Sequence, residues 1–454
     1  VPFVSRVPLC DALIAAEAAV RANVHATPWA GELDVDDDLG GILESVYGAV
    51  RTHDQSWSHA SLDSFHRPDR ALADAHRLAA AAFGVDRTYF VSTGASAANV
   101  IASTAALARG GRVMLDPTAH QSLHFAVERD AGEVDLMATV DGRVDFDAAV
   151  DRLSDAVARG RPPDLVIVAA SSYDGRRVDC ASVLLSLAAA AAPHTRFLLD
   201  DAWCAIHTFA PQTRGPGPSA GVAALRAHGL GNPVLIVHSA HKTMVAMRQA
   251  AYLHLSVGNE PDLAARVSQS VFVHHTTSPS WPILASLDLA RELAVRRGAQ
   301  TVGRALDRAA DLRRRIDAET SFHTVALDPG EHYEADPLRV HIAPPIGLDA
   351  EQCRRGLWND TGVHLSRVAA GRLVAATTIG VGEAAVDALV DGLQRAGRGA
   401  RGRTGPAPTT FTSAAAFVVA YPPGVPIATP FDQESTVREV GAPAGAEVFE
   451  IDPF

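Results

Sequence analysis

The stretch Pro233-Val234-Leu235-Ile236-Val237-His238-Ser239-Ala240-His241-Lys242-Thr243-Met244 decides the fold. Its first half is a short apolar, β-branched run of the kind that forms a buried strand. Its second half sets Lys242 just past the end of that strand, where open α/β sheets gather their ligands. Lys242 is also the only lysine in the chain, so every other member of the 40 Lys+Arg residues is an arginine. A guanidinium keeps its charge in proteins, whereas a lysine amine can lose its proton and attack a carbonyl. The position suits a Schiff-base nucleophile, and a leftover surface cation would satisfy the composition equally well.

Outward from this strand, similar apolar runs recur at residues 88–92, 112–116, 164–170, 196–200 and 250–255. Between most of them lie Ala- and Leu-rich segments at 97–109, 145–159 and 181–192, which read as helices. Strands alternating with helices imply a mostly parallel sheet covered on both faces. The last two runs are close together, which leaves room for an antiparallel strand.

Bulk properties narrow the function. The chain has 454 residues, 47% of them hydrophobic, enough for two or three packed units. A net charge of −12 argues against general nucleic-acid binding, which requires a basic surface. No run resembles a signal peptide or a membrane span; the apolar run 184–192 is short and ends at Pro193. Cys10, Cys180, Cys204 and Cys353 are scattered, so neither a disulfide framework nor a metal site is expected. A cytoplasmic protein with no nucleic-acid or membrane partner is the simplest expectation.

Ser239-Ala240-His241-Lys242, followed by Gln249-Ala250 and His254, resembles the cofactor-lysine segment of the Orn/Lys/Arg decarboxylases. That family has the aspartate-aminotransferase-like fold, type I among pyridoxal phosphate (PLP) enzymes. The resemblance implies an α/β fold with a mostly parallel seven-stranded sheet in a large domain and a smaller α/β C-terminal domain. It also implies PLP attached at Lys242, with Ser239 and His241 near the cofactor phosphate. Ser92-Thr93-Gly94-Ala95-Ser96 opens the first helix, where free amides and the helix dipole favour an anion. In the family this segment is the phosphate cup, giving Gly94, Ala95 and Ser96 that role; Ala95 stands where a hydroxyl residue is usual. Asp116-Pro117-Thr118-Ala119-His120 places His120 over the cofactor ring, and Leu199-Asp200-Asp201-Ala202-Trp203 places Asp200 beside the ring nitrogen. Ala202 would lie beneath the ring with Trp203 close by. His274-His275-Thr276-Thr277-Ser278-Pro279 resembles a segment reaching toward a partner's phosphate, so Thr277 or Ser278 would supply a hydroxyl there.

The expected domains are an N-terminal segment 1–70, a PLP-binding domain 71–297, a small domain 298–395, a linker 396–409 and a C-terminal segment 410–454. Leu62-Asp63-Ser64, Asp336-Pro337-Leu338-Arg339-Val340 and Tyr421-Pro422-Pro423-Gly424-Val425-Pro426 match further family segments. His53, His59 and His66 could be site residues or ordinary surface histidines. Arg372 falls roughly where related aminotransferases carry an arginine for the substrate α-carboxylate; an exposed strand arginine reads the same way.

The expected activity is PLP-dependent decarboxylation of an amino acid, by family a basic one such as arginine, ornithine or lysine, with Lys242, His120 and Asp200 catalytic. The expected assembly is a homodimer with shared sites. Aminotransfer, or oxidative or lyase chemistry, would use the same groups. A scaffold that retains the fold without catalysis is the non-enzymatic alternative.

Overall fold

The computed structural model describes residues 6–21, 35–48, 50–107, 109–213, 215 and 217–399. It also describes strand residues 410–411, 417–421, 425–428, 440–441 and 447–451. Seven strands form the main sheet, in the spatial order Arg87–Val91, Ala251–Ser256, Val234–His238, Arg196–Asp200, Leu165–Ala169, Gly111–Leu115 and Ala131–Leu136. Ala251–Ser256 runs antiparallel to both neighbours and the remaining pairs are parallel, so the sheet is mostly parallel as expected.

Six of the seven strands coincide, within a residue at either end, with the apolar runs. Val234–His238 and Ala251–Ser256 are buried at every residue, because helices cover both faces. On one face pack Phe83, Leu153, Leu184, Leu187 and Leu284; on the other, Ile101, Leu123, Leu263 and Val267. The seventh strand, Ala131–Leu136, has no apolar run to announce it. It lies at the sheet edge, where the side chain of Glu133 stays half-exposed and pairs with Arg112 and Arg161. Two covering helices start at aspartate caps: Asp145 accepts the Ala148 amide at 2.9 Å and Asp179 the Ser182 amide at 3.3 Å.

A single 39-residue helix, Trp281–Glu319, carries the chain from the first core to the second. Its Leu284, Leu287 and Val302 belong to the main core, and its Ala309, Leu312 and Ile316 to the core beneath a smaller sheet. The expected boundary at 297/298 therefore falls inside continuous helix. Near its start a buried Asp288–Arg291 pair receives the Leu9 amide, which docks the N-terminal helix Pro8–Ala19. The smaller sheet is antiparallel, in the order His323–Val325, Arg339–Ala343, Arg372–Ala376, Val368–Ala369. Helices Ala350–Thr361 and Glu383–Gly399 pack on it.

In the N-terminal segment, Asp63 is buried and its carboxylate accepts the amides of Ser64, Asp69, Arg70 and Leu72. Leu62-Asp63-Ser64 is thus a turn anchor leading into the helix Ala71–Phe83. His59 pairs with Asp69 at the surface and His66 packs among Phe65 and Phe272. Residues 400–409 of the expected linker and Pro422–Gly424 of the proline motif lie outside the described residues.

Candidate active site

The carboxyl ends of the parallel strands bring the expected residues together. Asp200 is the last residue of Arg196–Asp200; Lys242 lies in the one-turn helix Ala240–Thr243, just past Val234–His238. His120 caps the helix Gln121–Asp130, and Gly94 opens the helix Gly94–Ala106. Gly94 has φ +92, a conformation that favours glycine, and no neighbour stands within 4 Å of where a Cβ would sit. The first turn of that helix is therefore open to a ligand, with Ala95 half-buried and Ser96 exposed.

Asp200 is fixed by neighbours on both oxygens. Oδ2 accepts Nδ2 of Asn99 at 2.9 Å and Oδ1 accepts the Ala202 amide at 3.2 Å. Asn99 also donates to the Ser122 hydroxyl at 3.1 Å, and that hydroxyl lies 2.9 Å from Nδ1 of His120. The Ser122 amide donates to the same Nδ1 at 3.2 Å, so Nδ1 is an acceptor and the neutral ring carries its proton on Nε2. Burial lowers the His120 pKa, and the charge of Lys242 adds to this against the opposing pull of Asp200. Asn99, buried to 1% exposure, thus ties the carboxylate to the histidine. Its Oδ1 is buried without a hydrogen-bond partner.

Lys242 Nζ lies 3.8 Å from the centroid of the Trp203 ring. Burial is the main reason its pKa falls to about 8; Arg339 and Arg248 push the same way and Asp200 opposes them. Trp203 is held by its amide on Ser171 Oγ at 3.2 Å and by Tyr173, edge-on at 5.2 Å. Ser239 is buried, and His241 donates Nδ1–H to the Ala250 carbonyl at 3.2 Å. In the His274–Pro279 segment, His275 has a structural partner set. Its Nε2 accepts the Ser92 amide at 3.0 Å and its Nδ1 donates to the Thr276 carbonyl, fixing the turn before Gly94. Thr277 and Ser278 follow on the same loop and are exposed.

Arg372 is not brought into this group: it sits half-buried at the start of its strand, and its charge acts on His341. Arg339 is. Its guanidinium carbon lies 5.2 Å from the Trp203 centroid, and it acts on Lys242 directly. Its stem packs on Gly175, where a Cβ would meet Arg339 Cγ at 2.5 Å. The residue is only 6% exposed, yet among the described residues its guanidinium makes no hydrogen bond or ion pair. It borders a cavity of ≈ 440 Å³ lined also by Tyr173, Trp203, Val363, His364 and Ser366. A larger cavity of ≈ 720 Å³, between Phe65, His76, Arg77 and Tyr89, contains none of the Lys242 group. Asp336-Pro337-Leu338-Arg339 was a recognisable segment in the sequence, but only the fold reveals what its arginine faces.

Residues 25–334 match the Orn/Lys/Arg decarboxylase major domain. The chain belongs to the Orn/Lys/Arg decarboxylase family. Lysine decarboxylase LdcA of Pseudomonas aeruginosa is 30% identical over 238 residues, which are 48% of this chain and 30% of that protein. The uncharacterized protein YaaO of Bacillus subtilis is 27% identical over 348 residues, 75% of this chain and 67% of YaaO. The chain therefore matches less than a third of the length of the first of these relatives. In the solved structures, lysine decarboxylase A from Pseudomonas aeruginosa superposes with a TM-score of 0.77 at 20% identity, covering 93% of this chain and 73% of that one. The shared fold is the one the strand order builds. Within the family frame, Lys242 and Asp200 lie at the ends of neighbouring strands and His120 follows the strand two places further along the sheet, linked to Asp200 through Ser122 and Asn99.

Proposed function

We propose that this chain is a PLP-dependent amino-acid decarboxylase, with a basic amino acid (arginine, ornithine, lysine or a derivative) as substrate. The observation that carries the reading is the chain's only lysine, desolvated against Trp203 and flanked by a buried, hydrogen-bonded Asp200, in a member of this family. The donor set fits the cofactor. Lys242 offers the amine, Asp200 the carboxylate for the ring nitrogen, and His120 the ring face, with Ala202 and Trp203 alongside. The open first turn at Gly94, Ala95 and Ser96, together with Ser239 and His241, offers donors to its phosphate. When bound, PLP supplies an electron sink for the pair left behind as the bond from Cα to the carboxylate breaks.

The chain's own residues do the rest. Asp200, kept in place by Asn99 and the Ala202 amide, holds a proton at the ring nitrogen. Lys242, with its pKa lowered to about 8, has a free amine in roughly a tenth of molecules at pH 7, far more than an ordinary lysine, and can act as nucleophile and then as proton carrier. His120, neutral and protonated on Nε2, is placed to hold or deliver a proton at Cα. Trp203 and Tyr173 restrict water on the side facing the smaller sheet. The reading includes a cytoplasmic homodimer in which Thr277 or Ser278 reaches the partner's phosphate site. Exposed Phe272 and Val273, one turn before that loop, support such an interface.

Arg339 favours a second reading. A cavity-lining guanidinium with no hydrogen bond or ion pair among the described residues suits a substrate carboxylate, and a clamp that holds the carboxylate in the ring plane steers the same groups toward aminotransfer. The two readings separate in one assay of the PLP-loaded protein with lysine, ornithine and arginine, with and without a 2-oxo acid. Release of CO₂ independent of the oxo acid is expected; amino transfer without CO₂ would replace decarboxylation by the second reading. Turnover of neither kind, with no cofactor absorbance that depends on Lys242, would leave the scaffold alternative.

A further inference from the structure

Behind Trp203 lies a second cluster that the proposed reaction does not use. Cys204 is the N-cap of the short 3₁₀ helix Ala205–Phe209, and His207 lies within it. Residues three apart eclipse on a 3₁₀ helix, so the two side chains share one side. Asp336, from the turn before Arg339, closes the group across from the smaller sheet. The Sγ, imidazole and carboxylate atoms all lie within 4.8 Å of one another, and the three residues are 4%, 2% and 4% exposed.

We propose that Cys204, His207 and Asp336 bind one divalent transition-metal ion of the zinc or cobalt class. The imidazole is the second, independent observation. Its Nδ1 is 2.8 Å from Thr213 Oγ1, and Thr213 is itself fixed by Arg177 on its carbonyl. With Nδ1–H donated to that hydroxyl, Nε2 presents a lone pair toward Asp336 Oδ1 at 3.3 Å. The contact is misaligned for a hydrogen bond, and Nε2 is a buried nitrogen without a hydrogen-bond partner. In that tautomer two lone pairs face each other in a dry interior, and either a metal ion or a proton on Nε2 must lie between them. An outer hydrogen bond that orients the far nitrogen is the usual support of a metal-bound histidine.

The charges balance. Metal binding would displace the Cys204 thiol proton, and thiolate plus the Asp336 carboxylate would neutralise the divalent charge. A mixed sulfur, nitrogen and oxygen set suits zinc or cobalt and leaves one tetrahedral position open. The bound ion would join the 3₁₀ helix beside Trp203 to the turn that carries Arg339, fixing the separation of the two groups that flank Lys242.

The test is metal content. The full chain, expressed with cobalt and separately with zinc in the medium and then dialysed exhaustively, should retain about one ion per chain. The cobalt form should show visible d–d bands to the red of any cofactor absorbance. Cys204→Ser and His207→Gln should each retain at least about tenfold less cobalt, while Cys353→Ser, a buried thiol in the other core, should match the wild type. Retention well under about a tenth of an ion per wild-type chain, or d–d bands unchanged by Cys204→Ser, would overturn the site. The first of these decides even if a variant does not fold, and in that case the cluster is an imidazolium–carboxylate pair.

Discussion

The two sides of Lys242 are finished to different degrees. On the side of the main sheet, Asp200, Asn99, Ser122 and His120 form a hydrogen-bond network in which each Asp200 oxygen has a partner from the chain and the buried Asn99 Oδ1 has none. On the side of the smaller sheet, Arg339 is buried with no hydrogen bond or ion pair among the described residues. A carboxylate already held by donors needs little reorganisation to meet a cofactor; a guanidinium that feels only the through-space pull of Asp336 gains more from an incoming anion. The contrast supports the proposal that the first side serves the cofactor and the second the substrate.

The largest expected effect is on Lys242 itself. Lys242→Ala should lower turnover by about a thousandfold or more, roughly 4 kcal/mol of barrier, whichever side is engaged. Asn99→Ala comes next, because it removes one hydrogen-bond donor to Asp200 and unlinks Ser122. It should cost about 1–3 kcal/mol, expressed in kcat with KM little changed. Arg339→Gln should show the reverse pattern, a KM raised about tenfold or more with a smaller change in kcat. Arg339→Lys should recover part of that loss. Equal effects of Asn99→Ala and Arg339→Gln on both constants would erase the distinction.

The pH dependence sharpens the comparison, since the two flanking charges act on Lys242 with opposite sign. Burial is the main cause of the fall of the Lys242 pKa to about 8, against which Asp200 raises it and to which Arg339 adds. In the cofactor-free protein, Arg339→Gln should move the pKa for aldehyde attack on Lys242 upward and Asp200→Asn should move it downward. Because the folded pKa lies below the ordinary value of 10.5, the folded state binds fewer protons between about 8 and 10.5. The stability lost by burying a charged lysine is therefore fully felt below pH 8 and regained as pH rises through that window. Chemical denaturation of the cofactor-free wild type and Lys242→Met at pH 7 and pH 10 should show the gap between them narrowing. The smallest expected effect is that of Gly175→Ala, which strains a residue at φ +96 and crowds the Arg339 stem. It should raise KM several-fold through Arg339, with kcat nearly unchanged.

Much of this was legible in the chain, and the rest was hidden for identifiable reasons. The central strands are buried on both faces, so their apolar runs stand out, and the lysine is singled out by composition. The edge strand Ala131–Leu136 is half solvated and carries Glu133 and Asp135, so no run marks it. Asn99 lies one turn beyond the recognised segment 92–96, yet its bond to Asp200 joins residues 101 positions apart and has no local signature. Arg372 and Arg339 lie on neighbouring strands of one sheet, both with credible spacing from Lys242. Only the packing of Gly175 and Trp203 shows which of them faces the site. Cys204 and His207 looked like scattered residues because their third companion, Asp336, arrives from the other side of the 39-residue helix.

The central claim is that Lys242 carries the cofactor, and borohydride reduction of the PLP-loaded protein followed by peptide mass spectrometry tests it most directly. The account predicts a phosphopyridoxyl group on the peptide containing Lys242, present in the wild type and absent from Lys242→Ala. An unmodified Lys242 peptide, or a label confined to the α-amino group, would contradict it.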